Sequence, residues 1–268
     1  MSSEAAPGTG IALGDTFVQA WKVFREKIGL ILIIVLIVQI PLAAAAWGLN
    51  RLPILTSQQN FLNRQSNLIR NNQSQKVDVS GFVEDSAELA GLSLALHFFS
   101  SLAGTLSFMA IALVVKVGID GGQIEWTAAL AQALRRWPAA FVTLLMIELM
   151  LSGLFLLLIV PMIIFYVYWT FAIQAVILNQ RTGWGAIRYG MDLVRGRWWK
   201  VLGFSLIFGV MSLALTAIIN TLNVGQGNFF SDVFFAAVIS AVLSFFIVAY
   251  TVLFIDLERT RPAAPQDP

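Results

Sequence analysis

The chain contains no cysteine and a single histidine, His97. The absence of cysteine excludes disulfide bonds, thiolate metal ligands and a cysteine nucleophile. One histidine cannot build a histidine-rich metal site. The sequence also lacks a nucleophile motif, a glycine-rich phosphate loop and any regular spacing of metal ligands. We therefore expect a protein that is not an enzyme and that has no catalytic residues, no metal site and no cofactor.

Charge is equally scarce, because only 12% of the residues are charged whereas 58% are hydrophobic. A soluble domain of this size carries roughly twice that share of charge. The mean hydropathy of +0.78 predicts an all-α, polytopic integral membrane protein. The formal net charge of +2 is too small to indicate a nucleic-acid partner.

The hydropathy pattern predicts a single membrane domain over residues 15–257 with six transmembrane helices. A single helix through the third and fourth apolar runs would be far longer than a bilayer is thick, so we expect a reversal near Pro161. A cleaved signal peptide is the alternative interpretation of the first run, but the basic region before it is unusually long for one. The predicted spans cover residues 28–49, 89–117, 137–160, 162–178, 198–220 and 233–255.

Three polar regions surround these spans. Residues 1–14 are predicted to be a disordered tail, residues 50–88 an extracytoplasmic polar insertion, and residues 258–268 a short C-terminal tail. With six spans, 13 of the 17 lysines and arginines fall on one side of the membrane. Since basic residues are retained on the cytoplasmic side, both termini are expected in the cytoplasm and the protein in a plasma or inner membrane.

Each odd-numbered span is preceded by an aromatic, basic segment with helical periodicity: Thr16–Lys27, Gln123–Arg136 and Trp184–Lys200. We expect these segments to be interfacial helices, with an apolar face in the headgroup region and cations toward lipid phosphate. The chain would then repeat one module of surface helix, span and span three times.

The third of these segments is the most basic, and its pattern predicts binding of anionic lipid headgroups. The alternative is that its charges only fix the topology. The predicted headgroup ligands are Arg188, Arg195, Arg197 and Lys200, flanked by Trp198 and Trp199.

Four polar residues lie within predicted spans, and such residues are candidates for function by default. Glu148 is placed near the middle of the third span, where it is either a protonated structural carboxyl or a proton carrier that acts with His97. His97 has its own alternative as a packed, hydrogen-bonded side chain. Gln39 and Gln174 mark further polar points, and Asp256 is expected to pair with Arg259.

The stretch Phe171–Gly203 resembles the signature of the membrane domain of glycerophosphodiester phosphodiesterases and its stand-alone relatives. Phe254–Arg259 is similar to the closing motif of that family, and Val160–Pro161 to its turn between spans. The sequence departs from the family at four positions. The resemblance implies a six-helix membrane module, without room here for the catalytic domain that is sometimes fused to it. The matching residues are Ala186, Arg188, Leu193, Arg195, Gly196, Arg197, Trp198 and Trp199, and the departures are Met162, Gln174, Asn179 and Gly190.

The sequence thus favours a non-catalytic membrane module that binds lipid or a membrane or envelope protein partner in envelope or lipid metabolism. The alternative is a small proton-coupled transporter that uses Glu148 and His97. An intramembrane lipid enzyme is the third hypothesis, but the spans supply few convergent polar groups for one.

Overall fold

The computed structural model describes residues 13–49, 104–157, 159–221 and 229–261, together with residues 63, 66, 67, 70 and 101. All regular secondary structure within these ranges is helical, so the all-α fold class is confirmed for the described residues. Four of the described helical segments are long and apolar enough to cross a membrane: Trp126–Leu154, Val160–Leu178, Trp198–Leu215 and Phe229–Arg259.

We number the described helices in chain order. They are α1 (Leu13–Leu49), α2 (Gly104–Ile119), α3 (Trp126–Leu157), α4 (Ile159–Trp169), α5 (Ala172–Leu178), α6 (Gly183–Val194), α7 (Trp198–Thr221) and α8 (Phe229–Arg259). Most of the second predicted span, the polar insertion, His97 and the last residues of the chain lie outside the described residues.

The first predicted surface helix is not a separate element, because α1 runs without a break through it and through the following apolar run. Its 37 residues extend for about 55 Å at 1.5 Å per residue. Part of the apolar face of its first turns packs on protein, whereas Trp21 and Ile28 on that face are exposed. The Phe17 ring lies 5.0 Å from that of Phe204, and the Phe24 ring lies 5.5 Å from that of Phe245. The prediction of an independent interfacial helix here was therefore wrong.

The second predicted surface helix is likewise continuous with the span that follows it. Helix α3 begins at Trp126 and passes through Pro138 to Leu157. Ala129, Ala133 and Ala140 are fully buried on one face, which keeps the segment against the rest of the protein on both sides of the proline. Small buried residues at helical spacing allow a neighbouring helix to approach closely. This packing explains why the helix does not separate into two parts.

The third predicted surface helix does exist, but it ends earlier than expected. Helix α6 stops at Val194, and Gly196 follows with a φ of +81°, a left-handed conformation that glycine adopts at little cost. Helix α7 then starts at Trp198. Moreover, Ile187 and Val194 of the predicted apolar stripe are fully buried in the protein. This part of the predicted apolar face is therefore a packing surface of the protein, whereas Trp184 of the same helix is half exposed.

Helices α3 and α4 run in opposite directions. The guanidinium Nη2 of Arg136 donates to Gln180 Oε1 at 2.7 Å, and Thr143 Oγ1 accepts from the backbone N–H of Gly183 at 2.9 Å. Farther along α3, Ile147 packs in one cluster with Trp169. The chain therefore turns back on itself between these helices, and Pro161 lies in the first turn of α4, where a missing N–H is tolerated.

The fourth predicted span is divided into two helices. Helix α4 ends at Trp169 and α5 begins at Ala172, with a turn at Thr170 and Phe171. Helix α6 crosses close to this turn, because a Cβ atom on Gly190 would lie 3.4 Å from the backbone nitrogen of Ala172. Glycine at this position lets the two backbones approach closely.

The ends of several helices meet at one end of the described bundle. Asp120, just after α2, lies 3.5 Å from Arg259 at the end of α8. Arg197, before α7, donates to Thr260. We call this region the basic end, because the described lysines and arginines of the interhelical connections are concentrated there. Helix α1 packs chiefly on α8, and the Phe204, Phe208 and Tyr250 rings fill the space between α7 and α8.

Candidate functional site

A cavity of about 270 Å³ lies between α2, α3, α4, α5 and α8. Its wall is mainly apolar, but a small number of polar side chains converge on it. This combination of an apolar wall and few polar groups is typical of ligand sites. We call it the acidic cavity. Its polar and aromatic lining consists of Glu148, Gln174, Thr170, Tyr166, Trp169, Tyr250 and Phe108.

Two buried polar atoms of this lining have no hydrogen-bond partner among the described residues. One is the amide oxygen of Gln174, a side chain that is 1% exposed, and the other is the indole Nε1 of Trp169, which is 4% exposed. Buried polar groups are nearly always paired in folded proteins, so unpaired ones require an explanation. Both side chains belong to the cavity lining, so an acceptor and a donor without partners among the described residues lie beside the cavity.

Glu148 supplies the charge of the cavity. It lies on α3, next to buried Ile147, and its side chain is exposed at the edge of the lining. Within the described part of the chain it makes no ion pair and no side-chain hydrogen bond. Lysine, arginine and histidine are absent from the described lining. The local field is therefore negative.

A second cavity, of about 400 Å³, adjoins the first and is lined from α1, α2, α3, α5 and α8. The two cavities share Phe108, Leu144, Thr170 and Ile173. We call this one the neutral cavity, because no charged residue lies in its described lining. It contains Gln39 and the hydroxyl of Ser107, whose buried Oγ also has no partner in the described region.

The structure therefore brings together three of the four predicted intramembrane polar residues. Glu148 and Gln174 line one cavity and Gln39 the adjoining one. The fourth, His97, lies outside the described residues. Sequence reasoning missed Trp169, because a tryptophan in an apolar run is ordinary and its unpaired Nε1 becomes apparent only in three dimensions. It also gave no weight to Thr170, which marks the break between α4 and α5.

The predicted headgroup ligands at the basic end are largely committed to other parts of the protein. Arg197 Nη1 donates to the carbonyl of Leu257 at 3.0 Å and to Thr260 Oγ1 at 2.7 Å, and Nη2 donates to the carbonyl of Thr260. These bonds satisfy carbonyl oxygens that the end of α8 leaves without intrahelical donors. A cation there also complements the helix dipole. Arg197 is thus a C-terminal clamp on α8.

Lys200 is engaged as well. Its ammonium lies 3.1 Å from Asp256 Oδ2, and the Asp256 side chain is only 3% exposed. The expected pairing of Asp256 with Arg259 was wrong, because Asp256 faces α7 whereas Arg259 reaches Asp120. Lys200 offsets the cost of a buried carboxylate.

The Glu258 carboxylate forms a third set of polar contacts at the basic end. Its Oε1 accepts from the Asn179 amide at 2.5 Å and from the Tyr189 hydroxyl at 2.6 Å. Burial and the neighbouring Glu258 carboxylate raise the pKa of Tyr189 to about 12. Tyr189 is therefore a neutral donor at physiological pH, and it fastens α6 to α8.

Two of the four predicted cations remain available to a ligand. Arg188 and Arg195 are exposed, and neither side chain is bonded within the described ranges. Beside them, Trp199 is 78% exposed, whereas the Trp198 indole contacts the carbonyl of Ile164 at 3.4 Å. The surface that remains for anionic headgroups therefore consists of Arg188, Arg195 and Trp199.

No family model, curated protein or solved structure matches this chain. The resemblance to the membrane domain of glycerophosphodiester phosphodiesterases stays a prediction. The departure at Gln174, where that family usually has proline, nevertheless coincides with the acidic cavity.

Proposed function

We propose that this protein is a non-catalytic integral membrane module that binds a lipid-like amphiphile in the two joined cavities, within envelope or lipid metabolism. The observation that carries this proposal is a set of buried polar atoms in the cavity linings that have no partner among the described residues: Gln174 Oε1, Trp169 Nε1 and Ser107 Oγ. An amphiphile fits both parts of such a lining, because its polar group pairs with these atoms and its chain contacts the apolar wall.

The free-energy cost of these buried polar atoms supports the presence of a bound molecule. A buried polar atom without a partner costs about 1–3 kcal/mol, so three of them are a substantial burden for a fold of ordinary stability. A bound molecule that satisfies these atoms recovers part of that free energy. The protein would then be more stable with its ligand than without it.

The proposal is tested by the amphiphile that remains bound during purification. Native mass spectrometry of the parent should show a retained mass, and Gln174→Leu should retain less of it. Since leucine removes the unpaired oxygen, the ligand-free variant should be no less stable than the ligand-free parent.

Ser244→Ala is the matched control. Ser244 is fully buried, but its hydroxyl bonds to the carbonyl of Ala241 at 2.6 Å and it does not line either cavity. This variant should retain the amphiphile as the parent does. Equal retention by Gln174→Leu and the parent would refute the proposal, and so would a parent that retains nothing.

We further propose six spans, with both termini in the cytoplasm of a cell bounded by a plasma or inner membrane. The meeting of the connections at the basic end supports this arrangement, because it gathers basic residues on one side. The absence of cysteine allows a clean test. Ser74→Cys should react with an impermeant thiol reagent applied to intact cells, and Thr182→Cys should not. Reversed labelling, or equal labelling of both sites, would refute the topology.

An anionic lipid at Arg188 and Arg195 is a second, weaker binding proposal. It is supported by the exposure of both guanidinium groups beside Trp199. The change of both arginines to lysine preserves charge but removes the bidentate geometry. Reduced retention of anionic lipid at matched salt would favour specific binding of the lipid by the two arginines. Unchanged retention would show that the two charges serve topology. A membrane or envelope protein partner stays a prediction from the sequence.

The alternative function is a small proton-coupled transporter that uses Glu148 and His97. The observation that favours it is the position of Glu148, which has no partner among the described residues, in the lining of the acidic cavity. Proton-coupled flux into vesicles that contain the purified protein, lost in Glu148→Gln, would support it. Flux without proton coupling, or no flux at all, would exclude it.

A further inference from the structure

We propose that the acidic cavity selects an organic ammonium cation, so that the bound amphiphile has a positively charged headgroup. This inference rests on the proposed function and names the class of its ligand. It starts from the charge of the lining. In the described lining of the acidic cavity, Glu148 is the one ionisable acid or base apart from two tyrosines, and the neutral cavity has none in its described lining.

This charge distribution discriminates between headgroups. In a low-dielectric surrounding, interactions between charges are strengthened relative to water. A cation in the acidic cavity is paired with the Glu148 carboxylate, whereas a phosphate or carboxylate ligand finds no cation in the described lining. The same argument disfavours a zwitterionic headgroup, because its anionic half would be left unpaired. The cavity therefore has the opposite preference to the exposed arginines at the basic end.

Aromatic rings supply the second argument. Phe108, Tyr166, Trp169 and Tyr250 line the same cavity as Glu148. Rings that face a cation attract it through the negative potential of their π surfaces, and aromatic enclosures are a recurrent way of binding quaternary ammonium groups. The Tyr250 ring is held in place, because its hydroxyl bonds to Ser205 at 3.0 Å and its ring packs on that of Phe204.

The two buried polar atoms of the acidic cavity that lack a partner among the described residues restrict the chemistry of the ligand further. Gln174 Oε1 presents a negative dipole end, which suits a nearby cation. Trp169 Nε1 is a donor only, so it needs an oxygen on the ligand. A molecule that carries an ammonium group and a neutral oxygen, such as an ester or a hydroxyl, satisfies both. A choline ester with an acyl chain has this chemistry, and we use it as the probe.

The test compares octanoylcholine with 3,3-dimethylbutyl octanoate, a neutral molecule of the same shape with carbon in place of nitrogen. Binding to the purified, delipidated full-length protein in a neutral detergent is measured by isothermal titration calorimetry. The cation should bind at least tenfold more tightly than its neutral counterpart. In Glu148→Gln most of this preference should be lost through weaker binding of the cation, because only the aromatic rings then favour the cation over the neutral ester.

Glu26→Gln provides the matched control, because Glu26 is exposed on α1 and lies outside both cavities. It should leave the preference for the cation intact. A second variant, Trp169→Phe, keeps an aromatic ring but removes the N–H. It should weaken the binding of octanoylcholine several-fold. The binding of octyltrimethylammonium, which has no oxygen, should not change. An equal loss of affinity for both ligands would refute the role assigned to Trp169 Nε1.

The remaining outcomes separate this inference from the proposed function. Equal binding of the cation and the neutral ester by the parent would refute ammonium selection and leave an amphiphile-binding cavity. Octylphosphocholine bound as tightly as octanoylcholine would refute the charge argument. If neither ester binds, the inference is wrong, and the retention of the co-purified amphiphile by the parent and by Gln174→Leu then decides whether the proposed function is also wrong.

Discussion

The change Arg197→Lys distinguishes two roles of Arg197, as a structural clamp on the end of α8 or as a ligand of lipid headgroups. Arg197 makes three hydrogen bonds to the end of α8, two of them to carbonyl oxygens. Lysine keeps the positive charge but cannot reproduce the fork of donors, so we expect it to keep one of the three bonds. Hydrogen bonds from a charged group contribute about 1.5–3 kcal/mol each, and solvent screening of this half-exposed side chain reduces that value. The expected loss for two bonds is therefore about 2–3 kcal/mol.

The assay is thermal unfolding of the purified protein in detergent, followed by circular dichroism. A loss of this size should lower Tm by about 5–10 °C, if the scaling for soluble chains of similar length applies. Arg195→Lys is the control, because Arg195 is exposed and unbonded among the described residues, and it should leave Tm unchanged. Equal Tm values for the two variants would refute the clamp. Lipid loss from Arg197→Lys without a change in Tm would restore the headgroup role predicted from the sequence.

Three further outcomes are expected. Lys200→Met leaves the Asp256 carboxylate buried without a partner and should cost about 3 kcal/mol, whereas adding Asp256→Leu should recover most of that loss in thermal unfolding. Gly190→Val places extra methyl groups against the turn before α5 and should destabilise by about 1–3 kcal/mol, more than Gly209→Val, whose site is open. The Tyr189 hydroxyl should titrate near pH 12 in an absorbance difference against Tyr189→Phe. Since its folded pKa is raised, its contribution to stability is complete below pH 10 and is lost as pH rises to about 12.

The sequence predicted the last two apolar helices closely, because their length and composition alone determine them. Helix α7 was placed within one residue of its observed ends, and α8 extends four residues beyond its prediction at each end. The amphipathic segments were predicted less well for a physical reason. Periodicity shows that one face avoids water, but both a protein core and a lipid headgroup layer satisfy that requirement. In this protein, the rings of Phe17 and Phe24 pack against other rings of the protein.

The site was partly predictable for a similar reason. Glutamate and glutamine are costly in an apolar span, so Glu148 and Gln174 stood out from the sequence. Their placement on one cavity depends on the turn at Thr170, which no local pattern indicated. At the basic end the sequence singled out four cations as lipid ligands, but it could not show that Arg197 and Lys200 already have protein partners.

The pairing of α1 with α8 has a consequence for biosynthesis. These two helices are far apart in the sequence, and α8 is the last of the described helices to leave the ribosome. Until it arrives, α1 lacks its main neighbour, and the Lys200 ammonium lacks the carboxylate of Asp256. Contacts this distant in sequence form late and slowly. The incompletely inserted chain therefore displays packing faces and an uncompensated cation to chaperones and membrane proteases, and both disappear when α8 docks.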